Sequence, residues 1–292
     1  MRARTTRLGA LGSGVAALLT AVVVLTGCGA GGGAGSSSTP DGVERGIVYR
    51  EAGGQRLELD ACVPEEDGPH RAVVLVHGGA FEAGDRTTMT SACRLLAGLG
   101  FAAFAVDYRL VPDAYPAQVE DVSGAVSWLR EPEQVERFGL DGSVSLIGSS
   151  AGAIIALSTA EALASTATPV DSVVALSAAG DLTAEAAQMG TPAEELEAVV
   201  LAYLGCQTID ACPVAVDASP VTGAADLPPT LLIHGSDELI PIEQAEELAA
   251  ALEAAGVPHE LIVVDGAKHG LQLIDNSTRT AIAAFLVTNS SS

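Results

Sequence analysis

Aromatic residues make up only 3% of this 292-residue chain, so the sequence offers no broad aromatic surface for a long apolar ligand. Basic residues are also scarce: Lys and Arg total 14 against 37 Asp and Glu, giving a formal net charge of −23. No basic stripe is available to neutralise phosphates, which excludes nucleic acid and disfavours anionic lipid as partners. The acidic excess reads as a solvating surface rather than a binding signal. Cysteine and histidine number five each, and no spacing among them matches a zinc site. Internal repeats are missing too, which removes solenoids and propellers.

The N-terminal stretch is set apart from the rest. Arg2, Arg4 and Arg7 form a basic start, Leu8 to Thr26 is mostly apolar and small, and Leu25-Thr26-Gly27-Cys28 closes the segment. This is the pattern of a secretory signal over residues 1–27, and L-T-G-C resembles the lipobox of bacterial lipoproteins. The resemblance implies a diacylglyceryl group on Cys28 and a membrane partner through that anchor, two acyl chains being enough for stable attachment. It also implies a place on the outer face of the bacterial cytoplasmic membrane. Residues 28–40, rich in Gly and Ser, then read as a lipid-anchored flexible linker. Removing residues 1–27, with three arginines and no acid, takes the net charge from −23 to −26. Export reinterprets the four remaining cysteines as disulfides. Cys206 and Cys212 flank a short loop and are paired on that ground, which leaves Cys62 for Cys93.

Residues 41–289 are enough for one domain with a substantial core. Apolar β-type runs alternate with helical stretches, the pattern of a mostly parallel sheet covered on both faces. Strands are expected at Ile47–Glu51 and Gln55–Val63 as a hairpin, then Ala72–His77, Phe101–Val106, Val144–Gly148, Val173–Ser177, Thr230–His234 and Leu261–Val264. Helices are expected near Thr88–Leu99, Ala117–Leu129, Ala151–Ala164, Ile242–Ala254 and Ser277–Phe285. Residues 181–229 break the rhythm and form a candidate lid, with Glu194–Leu204 as its helix.

Gly148-Ser149-Ser150-Ala151-Gly152 falls between a strand and a small-residue helix. A G-x-S-x-G there is a nucleophile elbow: the turn strains its central residue, and glycines two positions away keep neighbours clear of it. Ser150 is therefore the expected nucleophile. Val73 to Val76 runs into His77-Gly78-Gly79-Ala80-Phe81, a glycine turn able to aim backbone amides at an oxyanion. Gly79, Ala80 and Ala151 are assigned as donors, with Gly78 shaping the loop. The acid is assigned to Asp237, in the loop Gly235-Ser236-Asp237-Glu238 after a strand, with the adjacent Glu238 as competitor. The base follows by elimination. His70 is placed in a polar loop, His77 in the oxyanion turn, His234 inside a strand and His259 at a strand entry, which leaves His269 in Gly266-Ala267-Lys268-His269-Gly270. The chain order Ser150, Asp237, His269 is that of an α/β-hydrolase.

With these motifs the chain resembles the hormone-sensitive-lipase-like and bacterial feruloyl/acetyl-ester carboxylesterases of the α/β-hydrolase superfamily, over roughly Gly46 to Phe285. The segment Asp107-Tyr108-Arg109-Leu110-Val111-Pro112, leading to Asp121, belongs to that likeness, and it is expected to form a structural cluster of Asp107, Arg109 and Asp121. The resemblance implies about eight strands, a serine ester hydrolase, a small-molecule ester substrate, and no metal or organic cofactor. An arylformamidase or peptidase-like amide hydrolase is the alternative on the same fold, and a lipid-anchored binding protein without activity is a third reading. Because the lid segment offers one aromatic, Tyr203, short acyl groups from acetyl to butyryl are expected.

Overall fold

The computed structural model describes residues 41–186, 189–190 and 194–290. The signal segment, Cys28 and the linker lie outside the described residues. Eight strands form one sheet in the order β1-β2-β4-β3-β5-β6-β7-β8. They are β1 (Glu44–Ala52), β2 (Gln55–Cys62), β3 (His70–Val76), β4 (Ala102–Val106), β5 (Leu140–Ser149), β6 (Val173–Leu176), β7 (Thr230–Gly235) and β8 (His259–Val264). The first two pair antiparallel through a turn at Gly53 and Gly54, both at positive φ (58° and 76°), as a tight hairpin turn requires. From β3 onward the neighbours are parallel. The α/β-hydrolase fold expected from the sequence is thus the observed one.

Helices cover both faces: α1 (Thr90–Ala97), α2 (Ala117–Leu129), α3 (Pro132–Phe138), α4 (Ala151–Ala164), α5 (Glu194–Leu204), the single turn α6 (Val214–Asp217), α7 (Ile242–Ala255) and α8 (Asn276–Thr288). Alternation along β3 explains the two-sided core. Ala72, Val74 and Val76 join a cluster with α2, α4 and α7, whereas Val73 and Leu75 join another with α1 and α8. Sequence reasoning placed His70 in a loop, but it opens β3. It also missed α3, whose first residue is Pro132 and whose end is a left-handed Gly139 (φ 60°).

The expected cluster of Asp107, Arg109 and Asp121 is divided in two. Arg109 grips Asp121 with Nε donating to Oδ2 at 2.7 Å and Nη2 to Oδ1 at 2.9 Å. Asp107 instead accepts from Arg86 Nη1 at 2.6 Å, and Arg86 also reaches Glu58 at 2.8 Å and Asp60 at 2.7 Å. Asp107, just past β4, faces Arg86, so Asp107 and Asp121 go to different arginines. The cysteines lie as paired: Cys62–Cys93 joins the end of β2 to α1 with Cα atoms 5.7 Å apart, and Cys206–Cys212 closes the chain after α5 with Cα atoms 5.6 Å apart.

Candidate active site

Ser150 stands between β5 and α4 with φ 55° and ψ −123°. A non-glycine residue in this region carries strain of roughly 1–3 kcal/mol, held only when surrounding contacts over-determine it. Its amide donates to Leu176 O at 2.8 Å, and its carbonyl accepts from Ala153 N at 2.7 Å. The flanking glycines are obligatory by contact. A Cβ at Gly148 would lie 2.2 Å from Gly152 O, and one at Gly152 would lie 2.2 Å from Val76 O. The elbow can therefore pack against β3 only without side chains at both positions.

The turn expected to receive the oxyanion follows β3. Ala80 and Phe81 both take positive φ, 54° and 59°, and Gly79 O accepts from the amides of Glu82 and Ala83 at 3.1 and 3.0 Å. Among the described residues, the amides of Gly79 and Ala80 have no protein acceptor. Ala151 is the first residue of α4, so its N–H has no acceptor within the helix. Phe81 is stacked on Tyr203 of α5, ring centroids 3.8 Å apart. His77 is buried, stacked on Tyr108 at 4.2 Å, with Nδ1 donating to Gly78 O at 2.7 Å. Burial pushes its pKa down, which keeps it neutral beside the turn.

The acid assignment requires correction. His269 Nδ1 is hydrogen-bonded to Glu238 Oε2, whereas Asp237 is exposed. The turn after β7 is pinned to the loop after β8, with Ser236 N donating to Val264 O at 2.9 Å and Asp237 N to Gly266 O at 3.1 Å. That register turns residue 237 to solvent and residue 238 inward, where the Glu238 side chain is fully buried. Its Oε1 accepts from Ser177 Oγ at 2.8 Å and Gly235 N at 3.0 Å, with His234 Nε2 at 3.3 Å. Burial alone would raise the Glu238 pKa. The bonds from His269 and Gly235, the nearby His234 and the Ser177 hydroxyl outweigh it and hold the carboxyl below its ordinary range. Sequence reasoning missed Ser177, and it placed His234 rightly inside a strand without its contact to Glu238. Ser177 has φ 55°, a strained serine just past β6, and its Oγ also accepts from Gly270 N at 2.8 Å. Gly270 brings the His269 turn against the elbow: a Cβ there would lie 2.5 Å from Ser149 Oγ.

These groups gather at the C-terminal ends of the strands, where open α/β sheets place their sites. A cleft of about 330 Å³ opens beside Ser150, Ala151 and Ala80 and continues under Leu182, Val200, Ile209 and Leu239. A larger depression of about 740 Å³ around Arg130, Asp141 and Pro229 lies at the strands' other ends, away from this chemistry. Groups of three or more metal-ligating side chains are absent among the described residues.

Residues 73–273 match the model of a protein family described as alpha/beta hydrolase fold. The chain is 29% identical over 260 residues to esterase LipU of Mycobacterium tuberculosis, covering 83% of this chain and 84% of that protein. It is 31% identical over 224 residues to carboxylesterase/phospholipase LipF of the same organism, covering 71% of this chain and 57% of that protein. Among solved structures, a hyperthermophilic esterase from the archaeon Pyrobaculum calidifontis is similar with a TM-score of 0.70 at 26% identity, over 84% of each chain.

Proposed function

The chain belongs to the alpha/beta hydrolase family, and we propose that within it the protein is a serine carboxylesterase using Ser150, His269 and Glu238. Ser150 Oγ attacks the ester carbonyl while His269 Nε2 takes its proton, and the amides of Gly79, Ala80 and Ala151 receive the oxyanion. Collapse expels the alcohol, which takes the proton from His269 and leaves an acyl-Ser150 ester. Water, deprotonated by His269, then releases the carboxylic acid and regenerates the serine. Glu238 holds the imidazole tautomer and stabilises its charged form.

The observation that carries this reading is the pairing of His269 with a buried Glu238, on a turn whose Gly270 packs against Ser149 of the elbow where Ser150 is strained. The esterase names of the similar proteins agree with it. Fluorophosphonate labelling followed by peptide mapping tests it: the label is expected on Ser150. Turnover of an aryl acetate should fall by about 10⁴ or more in Ser150→Ala. Labelling at Ser149, or full activity in Ser150→Ala, would refute it.

The protein is further proposed to be exported and anchored through a lipid on Cys28, with residues 28–40 as tether and residues 41–289 as the hydrolase domain. Support comes from the three arginines, the apolar run and the L-T-G-C sequence. Intact-mass analysis of the membrane fraction should show diacylglyceryl on Cys28, and Cys28→Ser should release or strand the protein. A soluble product starting elsewhere would contradict the anchor.

A further inference from the structure

The cleft beside Ser150 includes Ala80 and Ala151 in its walls but not His269. A leaving alcohol must lie within reach of His269, which protonates it, so the cleft belongs to the acyl half of an ester. Its lining is mostly apolar, with Ile154, Leu182, Val199, Val200 and Leu239 beside the polar Glu197 and Gln244. An apolar cavity of about 150 Å³ accepts a benzene. At about 330 Å³, this one has room for an acyl group of roughly six to ten carbons. That exceeds the acetyl-to-butyryl range expected from the scarcity of aromatics, because aliphatic side chains of the lid build the surface instead.

One side chain stands where this cleft ends. Ile209, Thr183 and Asp181 line both the cleft and a second, open depression of about 660 Å³ on the outer side of the lid. Asp181 and Thr183 are fixed. The Asp181 amide donates to Gln244 Oε1 at 2.9 Å, and its carboxylate accepts from Thr183 N at 2.7 Å and Thr183 Oγ1 at 3.0 Å. Ile209 has no such network. It begins the short helical turn Ile209–Ala211, inside the loop closed by Cys206–Cys212. Cys212 N donates to Ile209 O at 3.2 Å, and Cys206 N to Leu201 O at 3.0 Å, which ties the loop to α5. Ile209 thus borders both spaces from within the loop that the disulfide closes.

We propose that Ile209, held in place by the Cys206–Cys212 loop, ends the acyl site and sets the largest acyl group the enzyme accepts. The proposal rests on the serine-esterase reading of Ser150. Truncating Ile209 joins the cleft to the outer depression and lengthens the site, while enlarging it shortens the site. Each methylene excluded from an apolar wall lowers kcat/KM about fourfold.

The test measures kcat/KM for 4-nitrophenyl acetate, butyrate, hexanoate, octanoate, decanoate and palmitate. The wild type is expected to peak at hexanoate or octanoate. In Ile209→Ala the decanoate-to-acetate ratio should rise at least tenfold, and in Ile209→Trp the octanoate-to-acetate ratio should fall at least tenfold. Cys206→Ser with Cys212→Ser should move the profile in the direction of Ile209→Ala. Superimposable profiles for the wild type and both Ile209 variants would overturn the proposal. If the wild type turns over short esters through Ser150 but peaks at acetate, only this inference fails. If no ester is turned over, the esterase reading fails with it.

Discussion

Ser177 Oγ donates to Glu238 Oε1 at 2.8 Å while accepting from Gly270 N at the same distance, so one hydroxyl ties Glu238 to the turn that carries His269. The serine holds this post at φ 55°, a backbone position that costs free energy for any residue but glycine. The bond is to a charged group and is worth about 1.5–3 kcal/mol. Ser177→Gly removes the hydroxyl and relieves the strain, and Ser177→Ala removes the hydroxyl alone. Both are expected to lower kcat about 10- to 100-fold with KM within about threefold. If Ser177→Gly keeps full kcat, the hydroxyl positions nothing.

Glu238 and Asp237 are neighbours with opposite fates, and substitution separates them. Glu238→Gln leaves the imidazole with the wrong hydrogen-bond partner and should cost on the order of 10³–10⁴ in kcat, as loss of the acid does in such triads. Asp237→Asn alters an exposed side chain and should stay within about threefold. Kinetics with an aryl acetate decide the matter, and a dead Asp237→Asn with an active Glu238→Gln would reverse the assignment.

The strained turn at Ser150, the glycine turn after β3 and the loop that carries His269 could be read from the sequence because each is a local pattern. Glycines at fixed offsets and an apolar strand just before them are enough. The acid could not, because the choice between residues 237 and 238 depends on hydrogen bonds from Ser236 and Asp237 to the loop after β8. Ser177 was invisible for a similar reason: its contact with Glu238 arises from β6 lying beside β7, and no spacing in the chain announces that. The cleft beside Ser150 was not legible, because Leu182, Val199, Val200 and Ile209 line it without a regular period. Helix α3 was legible in principle, since Pro132 and Gly139 mark its ends as start and stop signals do.

The depressed pKa of Glu238 links stability to pH. Between its folded value and the ordinary value near 4.3, the unfolded chain binds more protons than the folded one, so stability rises with pH there. The contribution is fully present above that interval and is lost as pH falls through the folded pKa. Glu238→Gln cannot titrate and forgoes this part of the slope. Urea unfolding at about pH 5 and about pH 3 should therefore show a smaller drop in midpoint for Glu238→Gln than for the wild type. Equal drops would mean that Glu238 is not held ionised by its partners.

The two disulfides should separate stability from selectivity. Cys62 and Cys93 are both buried and 31 residues apart, whereas Cys206 and Cys212 are 6 apart. In the chain-entropy account, loops of these lengths give about 3.7 and about 2.2 kcal/mol. Replacing Cys62 and Cys93 by Ala removes the longer constraint, which fastens α1 to the end of β2, far from the lid. It should lower the unfolding free energy by the larger amount and leave the acyl-length profile as it was. Replacing Cys206 and Cys212 by Ser should cost less stability and broaden that profile, because the loop carrying Ile209 is released. Chemical unfolding of both variants, read beside their ester profiles, checks this. Equal stability losses with equal profiles would show that neither bridge acts as its place in the fold implies, and non-reducing peptide mapping that finds free thiols would remove the premise.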